Sequence, residues 1–414
     1  MVQLLVLPSS SLILLLVLLM MAPSSSCAQE QEQEQQQLKQ QMQEHQQQHT
    51  MLQGWIKEQV AKDAAAGCTC GKKDAALSAA EANRVVLHVE PADDSSTSDP
   101  AIYLNSIGEA IAKIPDGNTK RYIISIQPGA VYREKLFLGK NKPFVTLAST
   151  SPEAPAIIAW NDTAATLGKD GKPLGAEGSS SVTIESDFFI ASGILFRNDA
   201  PEPELKRDNQ GKIGEVTSAT MAPALRVAGS KATFYKCTVD GGHGALYDHK
   251  GLHYYKSCTI NGTFDFIFGN ARSFYEDCNI VSKSATDYLG DLPVAKPPLT
   301  LSPAAADGGF SFKTCTITGQ SFIFLGRAGW PVVYSYTNIG YDLFPLIVSG
   351  SDDSQAGAKF QFNREFAPFL FISYKNYGVP SGAVGINKTD VAPFLGTQFV
   401  SGDNWILSIP PATE

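Results

Sequence analysis

ATFYKCTVDG (residues 232–241), LHYYKSCTING (252–262), RSFYEDCNIVS (272–282) and FSFKTCTITG (310–319) are four versions of one short pattern. Each is an aromatic and β-branched run carrying one cysteine, closed by a turn residue. Their cysteines, Cys237, Cys258, Cys278 and Cys315, lie 21, 20 and 37 residues apart. Short strands recurring with a period near 20 residues are the mark of a solenoid whose coils stack on one another, so the pattern predicts an all-β chain wound as a parallel β-helix. The wider third gap holds a Pro-rich stretch, Asp287 to Gly309, that reads as an inserted loop. Stacked coils superpose equivalent positions. The repeated aromatics and cysteines are therefore expected to form inward-facing ladders, with the four thiols buried as packing groups rather than used for redox chemistry.

The same reading extends upstream. Tyr122–Gln127, Phe144–Ala148, Ser181–Glu185 and Phe188–Phe196 have strand composition. A solenoid end exposes strand edges and needs a cap. Ser106–Ile114, with Ile107, Ala110, Ile111 and Ile114 at helical spacing, predicts a short N-terminal cap helix. The Pro-rich region beyond Gly378, ending near Asn404 and Trp405, is expected to pack back along the solenoid.

Composition narrows the function. The 414 residues carry 33 Lys plus Arg against 41 Asp plus Glu, a net charge of −8, the reverse of what a nucleic-acid binder shows. Three segments are expected: a signal peptide over 1–28, a Gln-rich low-complexity stretch over 29–84, and a β-helix domain over 85–414. The apolar run from Leu12 to Met21, followed by small residues up to a cleavage point after Ala28, predicts secretion, although no Lys or Arg precedes the run. A signal anchor is the alternative reading of the same run. Between Gln29 and Gln53, 13 of 25 residues are Gln, a composition that cannot bury a core. Cys68 and Cys70 are too few for a structural zinc site and read as a local or intermolecular disulfide. With Cys27 removed, six cysteines remain, which allow 15 pairings, so spacing assigns none. Asn-x-Ser/Thr sequons stand at Asn161, Asn261 and Asn387; Asn261 falls in a strand-rich segment and is the poorest acceptor by that criterion.

Four further segments carry a family resemblance: PGAVYREK (128–135), WNDTAATLGKDGKPLG (160–175), ALYDHKGLHYYKSCTINGTFDFIFGNARSFYE (245–276) and FLGRAGW (324–330). From about Val85 onward the chain resembles the plant pectin methylesterases (pectinesterases). The resemblance implies a right-handed parallel β-helix, a secreted monomer of the plant cell wall, and hydrolysis of the methyl esters of homogalacturonan without a metal or other cofactor. It also implies a proteinaceous pectinesterase inhibitor as a possible partner, and neither nucleic acid nor, after signal cleavage, membrane.

Such a reaction needs a carboxylate to attack the ester carbonyl, a cation to keep it ionised, donors for the oxyanion, and a second carboxyl to protonate the leaving methoxide and then activate water. The resemblance places the nucleophile at Asp265 and the orienting cation at Arg327, both present. It places the general acid/base at Gly244, which cannot titrate, and the oxyanion glutamines at Met221 and His243. His243 is a candidate substitute donor, since imidazole can donate to an oxyanion or a leaving group. If 243 and 244 lie on a strand, however, they face opposite ways, and His243 cannot take over the position of Gly244. Tyr132, Phe266 and Trp330 are the expected aromatic lining of the sugar groove, with Trp330 set one residue further along by Gly329. His249 and His253 read as structural. Two readings follow: a methylesterase weakened by these substitutions, or an inactive homologue that binds pectin or pectinesterase-interacting proteins. A pectate lyase or polygalacturonase is a distant third, because neither acidic Ca²⁺ clusters nor paired hydrolytic carboxylates stand out.

Overall fold

The computed structural model describes residues 35–36, 39, 73–91, 103–151, 153–201, 218–263, 265–283, 308–319, 322–327, 332–339, 344–348, 371–374, 376, 384–385 and 391–407. The chain divides into Met1–Gln53 and Gly54–Glu414. In the first unit Gln35, Gln36 and Lys39 are helical. The strands of the described residues all belong to the second unit.

Among the described residues every ladder between its strands is parallel, and from Arg121–Ile126 to Phe371–Tyr374 successive strands belong to different sheets. One coil illustrates the path. Leu252–Lys256 lies in a twelve-stranded sheet (sheet A), Thr259–Gly262 in an eight-stranded sheet (sheet B), and Ile267–Phe268 in a five-stranded sheet (sheet C). The chain then returns to sheet A with Arg272–Glu276, one ladder step further on, with Tyr255 beside Tyr275. This is a right-handed parallel β-helix.

The ladders inside it follow from the repeat. Phe234, Tyr255, Tyr275, Phe312 and Tyr334 stack ring on ring at 4.8, 4.6, 4.5 and 4.8 Å between centroids, within 14° of parallel. Beside them run Cys237, Cys258, Cys278 and Cys315, all buried free thiols. Each lies directly after a residue in the left-handed region (Lys236, Ser257, Asp277, Thr314), where the chain turns from sheet A into sheet B. The Cys258, Cys278 and Cys315 thiols donate to the carbonyls of Phe234, Tyr255 and Tyr275 on the preceding coil. On the next coil Tyr336 takes the left-handed turn and Thr337 takes the thiol's place, its hydroxyl donating to Phe312 O at 3.5 Å. Burial pushes the Cys258, Cys278 and Cys315 thiols well up, which fits inert packing groups.

Two expectations need correction. Phe188–Phe196 is not one strand: Gly193, at φ +65°, turns the chain between Ile190–Ser192 in sheet A and Ile194–Asn198 in sheet B. The solenoid also begins before residue 85. A helix, α1 (Ala75–Ala82), buries Leu77 and Ala80, and its Glu81 holds the buried Arg121 guanidinium at 2.7 Å. The expected cap helix, α2 (Ile107–Lys113), is present with Ser106 as its N-cap and Ile107, Ala110, Ile111 and Ile114 buried. The Glu134 carboxylate accepts from its first amides, Ile107 N at 2.9 Å and Gly108 N at 2.8 Å, the preferred place for a negative charge on a helix. The C-terminal segment 391–407 does pack on the solenoid, with Ser311 donating to Phe394 O at 2.7 Å and the Trp405 indole donating to Val400 O.

A buried polar cluster lies under sheet C. Asp248 ends the strand Leu246–Asp248, and its carboxylate meets His253 Nδ1 and accepts from the Tyr255 and Tyr275 hydroxyls at 3.1 and 2.6 Å. His253 Nε2 faces Gly229 O at 2.8 Å. Burial opposes ionisation of Asp248, but the His253 charge and the hydrogen bonds from His253, Ser273 and Tyr275 outweigh it and hold the carboxyl below its ordinary value. His253 is thus structural, as expected. His249 is not in this core.

Candidate active site at the head of sheet C

The candidate residues precede the strands of sheet C. Leu246 pairs with Ile267, and Gly244 and Asp265 each stand two residues ahead of that pair. They therefore occupy the same position on successive coils. Both are in the left-handed region, Gly244 at φ +73° and Asp265 at φ +40°. That conformation is natural for glycine and uncommon for any other residue, aspartate being among the more tolerant. Backbone held this way in a side chain of catalytic type is what functional sites accumulate. Asp265 is half-buried.

His243 and Gly244 form a turn, not a strand. The expectation that strand alternation sends them to opposite faces is therefore replaced by a simpler fact: His243 is 2% exposed. Its Nδ1 lies 2.8 Å from Thr220 Oγ1, and its carbonyl accepts from Ala222 N at 2.9 Å. It is a buried residue joining two coils and not a partly open groove residue.

Met221 is also buried, and it forms an apolar cluster with Ala164 and Phe268, against which Tyr247 and Ala176 pack. A Cβ at Gly244 would lie 3.1 Å from Met221 Cε and 3.1 Å from Phe268 Cε1. The space into which an acidic side chain would project from residue 244 is thus closed by a methionine methyl and an aromatic edge. Met221, Ala164 and Phe268 themselves carry no side-chain group that could hand over a proton.

Arg327 ends the strand Phe322–Arg327, which pairs in parallel with Phe344–Val348. In coil order this pair takes the place of sheet C, but among the described residues it forms a separate two-stranded sheet. Trp330 lies outside the described residues.

Two of the aromatic expectations are corrected. Tyr132 is 5% exposed, belongs to the main core, and donates to Val89 O at 3.0 Å. Burial and the nearby Glu134 and Glu90 charges push its phenol up to about 12. Phe266 is likewise a core residue. Neither lines a groove. The outward-facing row is found from strand register instead: Phe137, Thr183, Arg226, Tyr247 and Phe268 stand side by side across sheet C. Tyr247 stacks on Phe268 at 4.4 Å and on His249 at 4.5 Å. Arg226 donates to Glu185 at 3.1 Å, to Glu177 at 2.9 Å and to His249 Nδ1 at 3.2 Å. Burial and the Arg226 charge hold His249 below its ordinary value, consistent with an Nδ1 that accepts. Around Arg226, Phe137, Lys135, Thr183 and Glu177 an open depression of about 430 Å³ continues along the same face. The signal for this row was available in the sequence: residues 247 and 268 follow the inward Leu246 and Ile267.

Comparison with known proteins now adds the family. The pectinesterase family model matches residues 95–330, more than half of the chain. The chain belongs to the pectinesterase family. It is 36% identical over 307 residues to pectinesterase QRT1 of Arabidopsis thaliana, covering 72% of this chain and 74% of that protein. It is 34% identical over 275 residues to pectinesterase 2 of Olea europaea, covering 66% and 67%. Among solved structures it is similar to a pectin methylesterase in complex with a hexasaccharide (TM-score 0.60, 23% identity, 78% of this chain and 98% of that one). It is also similar to the pectin methylesterase from carrot (TM-score 0.55, 22% identity, 78% and 95%). At those identities the solved structures speak for the fold. As a member of this family the protein is pectin methylesterase-like.

Proposed function

We propose that the protein is a secreted cell-wall pectinesterase homologue that binds homogalacturonan and hydrolyses its methyl esters at a strongly reduced rate. The observation that carries this is the closed space at Gly244, where Met221 Cε and Phe268 occupy the path of an acidic side chain. In the full reaction Asp265 attacks the ester carbonyl, with Arg327 keeping it ionised; methoxide leaves with a proton, and water then cleaves the acyl-enzyme. Residue 244 offers no carboxyl for the protonation or for activating that water. Loss of a general acid/base costs roughly 10²–10⁴ in rate, and loss of an oxyanion donor roughly 10²–10³. Such losses overlap, because the groups act as a unit. Asp265, held in a left-handed conformation one coil on from Gly244, supports slow residual hydrolysis over none.

Binding rests on different residues and is separable from catalysis. The half-buried Tyr247 ring, backed by the buried Phe268, and the exposed Phe137 in the same row are aromatic faces of the kind that pack on pyranose rings. The test is co-sedimentation of the chain from Gln29 onward with highly methylated pectin, alongside methanol release from the same material. Retention on pectin with slow methanol release is the expected result. No retention, or release as fast as that of an active pectinesterase measured in parallel, overturns the reading.

A further inference from the structure

The site of most interest outside the groove is a sequon. Of the two sequons among the described residues, Asn161-Asp162-Thr163 is the one the fold presents. Asn161 follows the strand Ala156–Trp160 and is exposed, in irregular backbone. Its neighbours are fixed while it is not: Asp162 is ion-paired with Lys135, the Asn198 amide donates to Asp162 O at 2.9 Å, and Asp199 N donates to Trp160 O at 2.9 Å. Asn161 itself makes no hydrogen bond among the described residues. Asn261 is the opposite case. It lies inside the strand Thr259–Gly262, paired on one side with Asp240 and on the other with Val281, and is half-buried. Asp240 there holds Arg197 and Lys283, so a sugar on Asn261 would stand among side chains already engaged across sheet B. Asn387 lies outside the described residues.

We propose that Asn161 is an N-glycosylation site and that Asn261 is left unmodified. The inference rests on passage through the secretory pathway, part of the reading above. In the transfer, Asn161 Nδ2 displaces a lipid pyrophosphate from the anomeric carbon of a lipid-linked oligosaccharide. The C–N bond forms, the C–O bond to phosphate breaks, and the amide gives up one proton. Position adds a consequence. Three residues on, Ala164 joins the Met221–Phe268 cluster and donates from its backbone N–H to Met221 O at 2.7 Å. The glycan therefore stands at the rim of the candidate site.

The test expresses residues 29–414 behind a heterologous secretion leader in a eukaryotic host, beside the full chain with its own first 28 residues. Secreted protein is treated with a glycan-releasing amidase in heavy-oxygen water, and peptides are sequenced by mass spectrometry. Labelled aspartate at 161 and unlabelled asparagine at 261 are expected. Asn161→Gln should remove one glycan-sized step in gel mobility and Asn261→Gln none. Secreted protein with Asn161 unmodified, or with label at 261, overturns the proposal. If the heterologous leader yields the glycan while the native chain stays inside the cell, the proposal stands and the secretion reading fails.

Discussion

Two series of stacked positions, one inside the solenoid and one at the head of sheet C, have had opposite fates. Inside, coil after coil repeats the same solution: Phe234, Tyr255, Tyr275, Phe312 and Tyr334 stack at 4.5–4.8 Å. The adjoining thiol position runs through four cysteines and ends in Thr337, which makes the same hydrogen bond. At the head of sheet C, equivalent positions on successive coils hold Gly244 and Asp265. A ladder residue is constrained by the neighbours above and below it, so each coil enforces the next. A site residue is constrained only by the reaction, and once the reaction is relaxed nothing in the packing holds it. The apolar filling by Met221, Phe268 and Ala164 is stable in its own right.

The largest expected effect breaks the interior series. Tyr275→Ala removes a ring stacked on both sides and a hydroxyl bound to Asp248. The cavity cost for an aromatic of this size is about 3–5 kcal/mol, to which the lost hydrogen bond adds about 1 kcal/mol or more. Urea unfolding should show it, and a loss below about 1 kcal/mol would mean that the ladder does not carry the fold.

Next comes Asp248→Asn, which removes the carboxylate that meets His253 and accepts from Tyr255 and Tyr275. Breaking one side of a buried pair costs about 3–5 kcal/mol. The sign of its pH dependence is set by the lowered pKa of Asp248. The wild-type chain holds this stability above the ordinary aspartate value of about 4 and loses it as the pH falls from there through the lower folded value. Stability measured against pH should keep that acid limb in the wild type and lose it in Asp248→Asn. An unchanged limb would assign the acid sensitivity to other carboxylates.

The mildest interior change sharpens the comparison. Cys315→Thr copies what Thr337 does one coil on and should cost less than about 1.5 kcal/mol by urea midpoint, the range of volume-conserving exchanges. The native thiols Cys258, Cys278 and Cys315, buried and with raised pKa values, should react with a thiol reagent only on unfolding.

The same contrast governs what the sequence reveals. The Cys and aromatic repeat, and the apolar spacing of Ile107, Ala110, Ile111 and Ile114, encode packing directly, so the β-helix and its cap helix are legible. The break at Gly193 is less so, because a one-residue turn between two strands leaves the apolar composition of Phe188–Phe196 uninterrupted. At the candidate site, that residues 244 and 221 carry neither a titrating nor an amide side chain is readable residue by residue. What fills the space is not. That depends on which face each residue presents, and motif proximity places Tyr132 and Phe266 in a groove where the fold buries both. Strand register corrects this, since Tyr247 and Phe268 pair outward while Phe266 turns into the core. The burial of His243 depends on a contact with Thr220, 23 residues away, which no local pattern announces.

The measurement that tests the central claim most directly is methanol release from highly methylated pectin by the native chain and by Gly244→Asp combined with Met221→Gln and His243→Gln. The three changes belong together: Met221 Cε must move for a carboxylate to enter, and φ +73° at residue 244 is a conformation aspartate tolerates, as Asp265 does one coil on. The account predicts a slow native chain, a gain of roughly 10² or more in the triple variant, and abolition of that gain by Asp265→Ala. A native chain that already releases methanol at the rate of the triple variant, and loses it on Asp265→Ala, would contradict the account and mean that another donor serves in place of residue 244.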